Sequence, residues 1–150
     1  MTLALRHAAL GLALAFASGF AAAQATPAGL WKTVDDNTRK EKSLVRIVEA
    51  NGVYTGKVEK VIDPDAPKDA VCKDCTDDRK DKPVVGMTII RNMKASGDKD
   101  VFEGGDILDP NNGKVYSAKL TLVEGGRKLD VRGYIGTPLL GRTQTWQRVE

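Results

Sequence analysis

Cys72 and Cys75 are the two residues of this 150-residue chain whose type and spacing most directly suggest chemistry. A Cys-x-x-Cys pair can cycle between thiols and disulfide, contribute to a zinc site, or close a local staple. Redox cycling calls for the first thiol at a helix N-terminus in a βαβ setting. Here the flanking Asp69, Asp74, Asp77 and Asp78 raise a thiol's pKa, and Lys73, Arg79 and Lys80 lower it. Zinc needs two further ligands, but the chain has no other cysteine and one histidine, His7. A disulfide staple on a long loop needs nothing more than an oxidising compartment.

Other constellations fall away on inspection. The acids Asp74, Asp77, Asp78 and Asp81 are neutralised almost residue for residue by their basic neighbours, as on a solvated loop. Asp109-Pro110-Asn111-Asn112-Gly113 opens like a calcium loop, yet Leu120 stands where the closing Glu belongs, so a tight turn is the better reading. After residue 25, serine catalysis has Ser43, Ser96 and Ser117 to work with, no G-x-S-x-G and no histidine. No carboxylate pair is nominated. The expectation is a protein with no catalytic residues, no metal and no cofactor.

The N-terminus predicts where the chain works. Arg6 and His7 precede an apolar run from Ala8 to about Phe20, followed by small residues. These are the three parts of a secretory signal peptide over residues 1–25, with cleavage after Ala23 or Ala25. The run is short and Ala/Gly-rich for a bilayer span, and no cysteine marks the cut for lipidation. A periplasmic or secreted protein without stable membrane insertion is expected. Cleavage removes His7, and losing Arg6 lowers the formal charge from +3 to +2. So small an excess argues against a nucleic-acid partner.

Residues 26–150 predict one all-β domain. Candidate strands lie at about 28–34, 43–50, 53–62, 84–92, 100–108, 114–123, 127–135 and 142–149, separated by Asn51-Gly52, Asp109–Gly113 and Gly125-Gly126. Several alternate strictly: Tyr116, Ala118, Leu120 and Leu122 against Ser117, Lys119 and Thr121. One wet and one dry face per strand suits an antiparallel up-and-down barrel of about eight strands. Glycines inside the strands permit the bending that closure needs. The exception is the charged loop 63–83, rich in Asp, Lys and Pro, which holds both cysteines.

Gly29-Leu30-Trp31, the Cys-x-x-Cys loop, Pro83-Val-Val-Gly86-Met, Gly104-Gly105-Asp106, Leu129-Asp-Val-Arg132-Gly133-Tyr134 and Gly141-Arg142-Thr-Gln-Thr-Trp146-Gln-Arg148 together resemble the bacterial domain-of-unknown-function family 2147. The resemblance covers nearly all of the chain after residue 25. It implies an exported, lipocalin-like β-barrel and carries no established activity. The opening G-x-W is also similar to the first-strand signature of lipocalins. That likeness implies that Trp31 plugs the barrel base beneath a cation from Arg148 or Arg142.

The expected function is passive binding of a small apolar ligand, such as a fatty acid or lipid, inside the barrel. The lining candidates are Tyr54, Val58, Tyr116, Ala118, Leu120, Leu129 and Val131, with loop 63–83 partly covering the mouth. The alternative is a cell-envelope interaction protein that docks through the charged Cys-x-x-Cys loop.

Overall fold

A computed structural model describes residues 25–150. The expected signal segment, apart from Ala25, lies outside the described residues. The strands are β1 Gly29–Val34, β2 Glu41–Ala50, β3 Val53–Val61, β4 Thr88–Ala95, β5 Val101–Asp109, β6 Lys114–Val123, β7 Lys128–Tyr134 and β8 Gly141–Arg148. Each pairs antiparallel with the next, and β8 pairs back onto β1, closing the barrel. The closing seam pairs Trp31 with Arg148 and Lys32 with Gln147, and it is extended by backbone hydrogen bonds from Val149 N–H to Leu30 O and from Leu30 N–H to Glu150 O, both 2.8 Å. Every strand pairing falls within residues 29–148, so the part after the expected cleavage holds the whole barrel. The eight-stranded antiparallel up-and-down barrel anticipated from alternation is the one present.

Register fixes the inner face. Trp31 opposes Val45, which opposes Val58; Gly56 opposes Ile90, which opposes Ile107; Leu129 opposes Trp146. Trp31, Val45, Ile90, Met93, Leu120 and Leu129 are all fully buried. Packing at this density, rather than any one contact, is the main hydrophobic contribution to stability. Where two strands approach closely, a glycine makes room: a methyl on Gly105 would overlap the Arg91 carbonyl and sit 2.6 Å from the Met93 sulfur.

The two ends of the barrel differ. One carries Ala25 and Glu150, the two ends of the described residues, with the short β2–β3, β4–β5 and β6–β7 turns, and is the terminus end. The other carries the β1–β2, β3–β4, β5–β6 and β7–β8 connections, and is the loop end. The expected strand 84–92 starts later, at Thr88. Val84–Met87 is instead a turn, closed by the Met87 amide on the Val84 carbonyl (3.1 Å), and it hooks onto β3 through Gly86 N–H to Val58 O (2.7 Å).

Candidate functional site

The terminus end is sealed. The Trp31 indole N–H donates to the Pro27 carbonyl at 2.7 Å, and the Arg148 guanidinium lies 4.2 Å from the ring centroid. That guanidinium also donates to three carbonyls, Gly126 (2.6 Å), Ala28 (2.8 Å) and Thr26 (2.6 Å). Its planar fork matches such a set of acceptors, and burial lowers its pKa from the usual value. Arg142 is not the cation over Trp31. It sits at the loop end, where it binds the Asp36 carboxylate through Nε (2.7 and 2.6 Å) and Nη2 and reaches Asp35 at 3.4 Å. This clamp ties the β1–β2 connection to β8. Arg142 holds the Asp36 carboxyl below its ordinary range, and hydrogen bonds from Thr38 do the same for Asp35.

The expected lining residues divide by depth. Ala118, Leu120 and Leu129 are fully buried, and Val58, Val131 and Tyr54 nearly so. Tyr54 stacks edge-on against Phe102 with centroids 5.1 Å apart. Tyr116 is half-buried nearer the loop end, and its hydroxyl accepts a hydrogen bond from Asn112 at 3.2 Å.

The long connection is ordered and has two parts. Cys72 and Cys75 form a disulfide and are 0% and 2% exposed. Their burial follows from where the segment lies. In the β4–β5 pair, Ile90 and Ile107 face inward, so Ile89, Arg91, Asp106 and Leu108 face outward. Ile89 and Leu108 are nonetheless buried. Residues 72–79 cover them. Arg79 donates to the Thr88 carbonyl at 2.9 Å, Arg91 grips Asp78 at 3.1 and 2.9 Å, and Gly113 of the β5–β6 turn rests against the Asp74 backbone. The cysteine segment is therefore a flap docked on the outer wall, and the cover expected over the mouth is not its position. Apolar Ile89 and Leu108 on the outer face reward this arrangement.

An ion pair within the flap brings a pH dependence. Arg79 is buried and binds Asp77 through Nε (3.1 Å) and Nη2 (2.6 Å). These side-chain bonds, with the Arg79 backbone N–H, hold the Asp77 pKa down to about 2 from 3.8. A carboxyl with a depressed folded-state pKa stabilises above its unfolded value and loses that contribution as pH falls through the folded one. The Asp77 contribution is thus complete above about pH 4 and lost toward pH 2. Its side chain is 36% exposed, so solvent screening reduces the effect to about 1 kcal/mol. Asp77→Asn should be less stable than the parent by about that amount at neutral pH, and the gap should close on acidification. Denaturant melts at several pH values check this; a gap independent of pH would contradict it.

The other part, residues 62–71 and 83–85, borders a groove of about 710 Å3 at the loop end beside β3. Its volume falls within the roughly 300–1,000 Å3 of small-molecule sites. Ile62, Pro67, Val71 and Val85 supply apolar surface, and Val61 and Val84 join it to the barrel core. Backbone bonds hold the walls: Val84 N–H to Ala70 O at 2.9 Å and Cys72 N–H to Lys82 O at 3.0 Å. At the root, Lys42 pairs with Asp63 at 2.5 Å and Lys40 with Asp65 at 2.8 Å. Lys60, Lys68 and Asp69 also line the groove, and none of the three has an ion-pair partner among the described residues. The sequence predicts a charged loop over 63–83, rich in Asp, Lys and Pro. Its apolar groups are Pro64, Pro67 and Val71 within the loop and Ile62, Val84 and Val85, which are expected at the ends of strands 53–62 and 84–92; their scatter has no period because the segment is neither strand nor helix.

Among the described residues no helix is long and apolar enough to cross a membrane, and no cluster of three or more His, Cys, Asp or Glu is arranged to hold a metal. No curated protein matches the chain. Among solved structures it is similar to protein HP1028 from the human pathogen Helicobacter pylori, which belongs to the lipocalin family. That match has 21% identity, covers 84% of each chain and has a TM-score of 0.72. At this identity the likeness speaks for the fold. Residues 29–148 match the family described as uncharacterized proteins conserved in bacteria, DUF2147, and the chain belongs to that family.

Proposed function

We propose that the protein is exported, loses residues 1–25, and binds a small amphipathic molecule, an alkyl-chain carboxylate such as a fatty acid, in the loop-end groove. The observation that carries this reading is the groove itself: about 710 Å3, apolar along Ile62, Val71 and Val85, continuous with the core through Val61 and Val84. Of the charged groups that line it, Asp63 is paired with Lys42, which leaves Lys60 and Lys68 as two cations against one unpaired carboxylate, Asp69, among the described residues. A chain laid on the apolar surface would release water, and its carboxylate would meet a cationic rim. In this reading Tyr54, Val58, Ala118, Leu120, Leu129 and Val131 pack the interior, and Tyr116, which does not line the groove, takes no part in binding. A small barrel that fills its own interior is a common outcome for eight strands.

Fluorescence titration with dansyl-labelled undecanoic acid tests this. Val85 is 55% exposed, so Val85→Asp should fold normally while placing a charge against the alkyl chain. It should weaken binding by about tenfold or more. Lys60→Glu with Lys68→Glu should weaken the acid by about fivefold and leave its methyl ester unchanged. Absence of saturable binding to the parent protein, or equal affinity in every variant, would refute the proposal.

A further inference from the structure

The β7–β8 connection presents an apolar tip at the loop end. Ile135, Leu139 and Leu140 are 67%, 88% and 79% exposed, the last two on a single 3₁₀ turn, Pro138–Leu140. Three large aliphatic side chains so exposed within six residues are uncommon on a soluble surface and mark a contact. Below the tip the outer wall changes character in order. Tyr134 follows, half-buried, and then Arg132, paired across the sheet with Lys119. Register places Tyr134, Arg132 and Lys119 on the outer face, opposite in sense to Val131 and Leu120.

Arg132 and Lys119 carry no ion pair among the described residues. Arg132 instead holds the tip, donating through Nε to the Pro138 carbonyl at 2.5 Å and through Nη1 to Thr143 at 2.8 Å. The nearest outward carboxylate on β7, Asp130, accepts the Thr145 hydroxyl at 2.7 Å.

We infer that this tip is a membrane-surface contact that takes an anionic phospholipid bilayer. Apolar side chains lead, a tyrosine stands at the base of the tip, and two cations support it, the Arg132 guanidinium against the Pro138 carbonyl and Lys119 paired beside Arg132 on β6. A bilayer surface has the complementary order: acyl chains, then the interface where tyrosine is favoured, then phosphates. The area argues against a protein partner. Three aliphatic side chains bury about 100 Å2 each, well under the roughly 800 Å2 per side of a stable interface. Three inserted side chains and two cations instead suit reversible adsorption. The contact does not depend on what the groove binds.

Vesicle flotation of residues 26–150 tests the inference, with vesicles of phosphatidylcholine alone and of phosphatidylcholine with phosphatidylglycerol. The protein should float with the anionic vesicles and less with the neutral ones. Leu139→Asp with Leu140→Asp should lower the partition coefficient by about a hundredfold, roughly tenfold for each side chain lost. Arg132→Gln with Lys119→Gln should lower it by about tenfold or more and flatten its dependence on salt and on phosphatidylglycerol content. Thermal transitions of the leucine pair should match the parent, because both side chains are exposed, and their vesicle-free titration with dansyl-undecanoic acid should be unchanged. Failure of the parent to float, or equal flotation of the leucine variant, would overturn the inference. So would a parent dimer, seen by sedimentation, that the leucine variant dissolves, since the tip would then bind a second copy of the chain.

Discussion

Trp31→Ala should destabilise the barrel by about 3–5 kcal/mol, the largest loss expected from any single side chain here. Trp31 is fully buried, and it sits where β1 meets β8 to close the barrel. Its loss removes the packing surface under the Arg148 guanidinium and the donor to the Pro27 carbonyl. Arg148 retains its three carbonyl acceptors, so the variant isolates the ring from the charge. Trp31→Phe should recover part of the loss, because a ring remains under the cation while the indole N–H is gone. For a domain of this size a loss of that order lowers the melting temperature by about 10 °C or more. Thermal and denaturant melts check the prediction. A loss under about 1 kcal/mol would mean that closure does not depend on the packed Trp31–Arg148 pair.

Gly113→Ala should cost about 2–4 kcal/mol, an effect out of proportion to one methyl on a surface turn. Gly113 has φ of +71°, a conformation that is strained for any residue with a Cβ. The added methyl would also overlap the carbonyl of Asp74 and come within 2.6 Å of the Cys75 nitrogen. Both opponents are backbone atoms of the flap, so the turn or the flap must move. Hydrogen exchange should show amides across residues 72–82 losing protection while β7 and β8 keep theirs. Gly52→Ala is the natural comparison. It has a similar positive φ, +79°, and nothing within 4 Å of the added methyl, so it should carry only the conformational strain. Equal costs for the two variants would show that the flap is not seated on the turn.

Much of the barrel was legible in the sequence because its signals are local. Strict alternation through Tyr116–Leu122 and Leu129–Val131 sets an inner face, and Asn51-Gly52 and the Asp109–Gly113 run set the hairpins. The position of Arg148 over Trp31 could be proposed but not chosen over Arg142. That choice rests on register at the closing seam, where two strands from opposite ends of the chain meet. The flap was illegible for a different reason. Ile89 and Leu108 break the expected outward polarity by a single residue each, and only the pairing of β4 with β5 shows that they share a patch. The groove was hidden in the same segment, since its apolar residues follow a turn-rich path with no period. The tip at Leu139-Leu140 was visible as residues, but the exposure that gives it meaning depends on the 3₁₀ turn holding it away from the barrel.

The groove as the ligand site is most directly tested by backbone amide NMR of residues 26–150 during titration with dodecanoate. Saturable shifts should concentrate at residues 60–71 and 83–85, with Leu120, Leu129 and Val131 unmoved. Saturable shifts centred on Leu120, Leu129 and Val131, with the groove silent, would place the ligand inside the barrel and contradict a site at the loop-end groove.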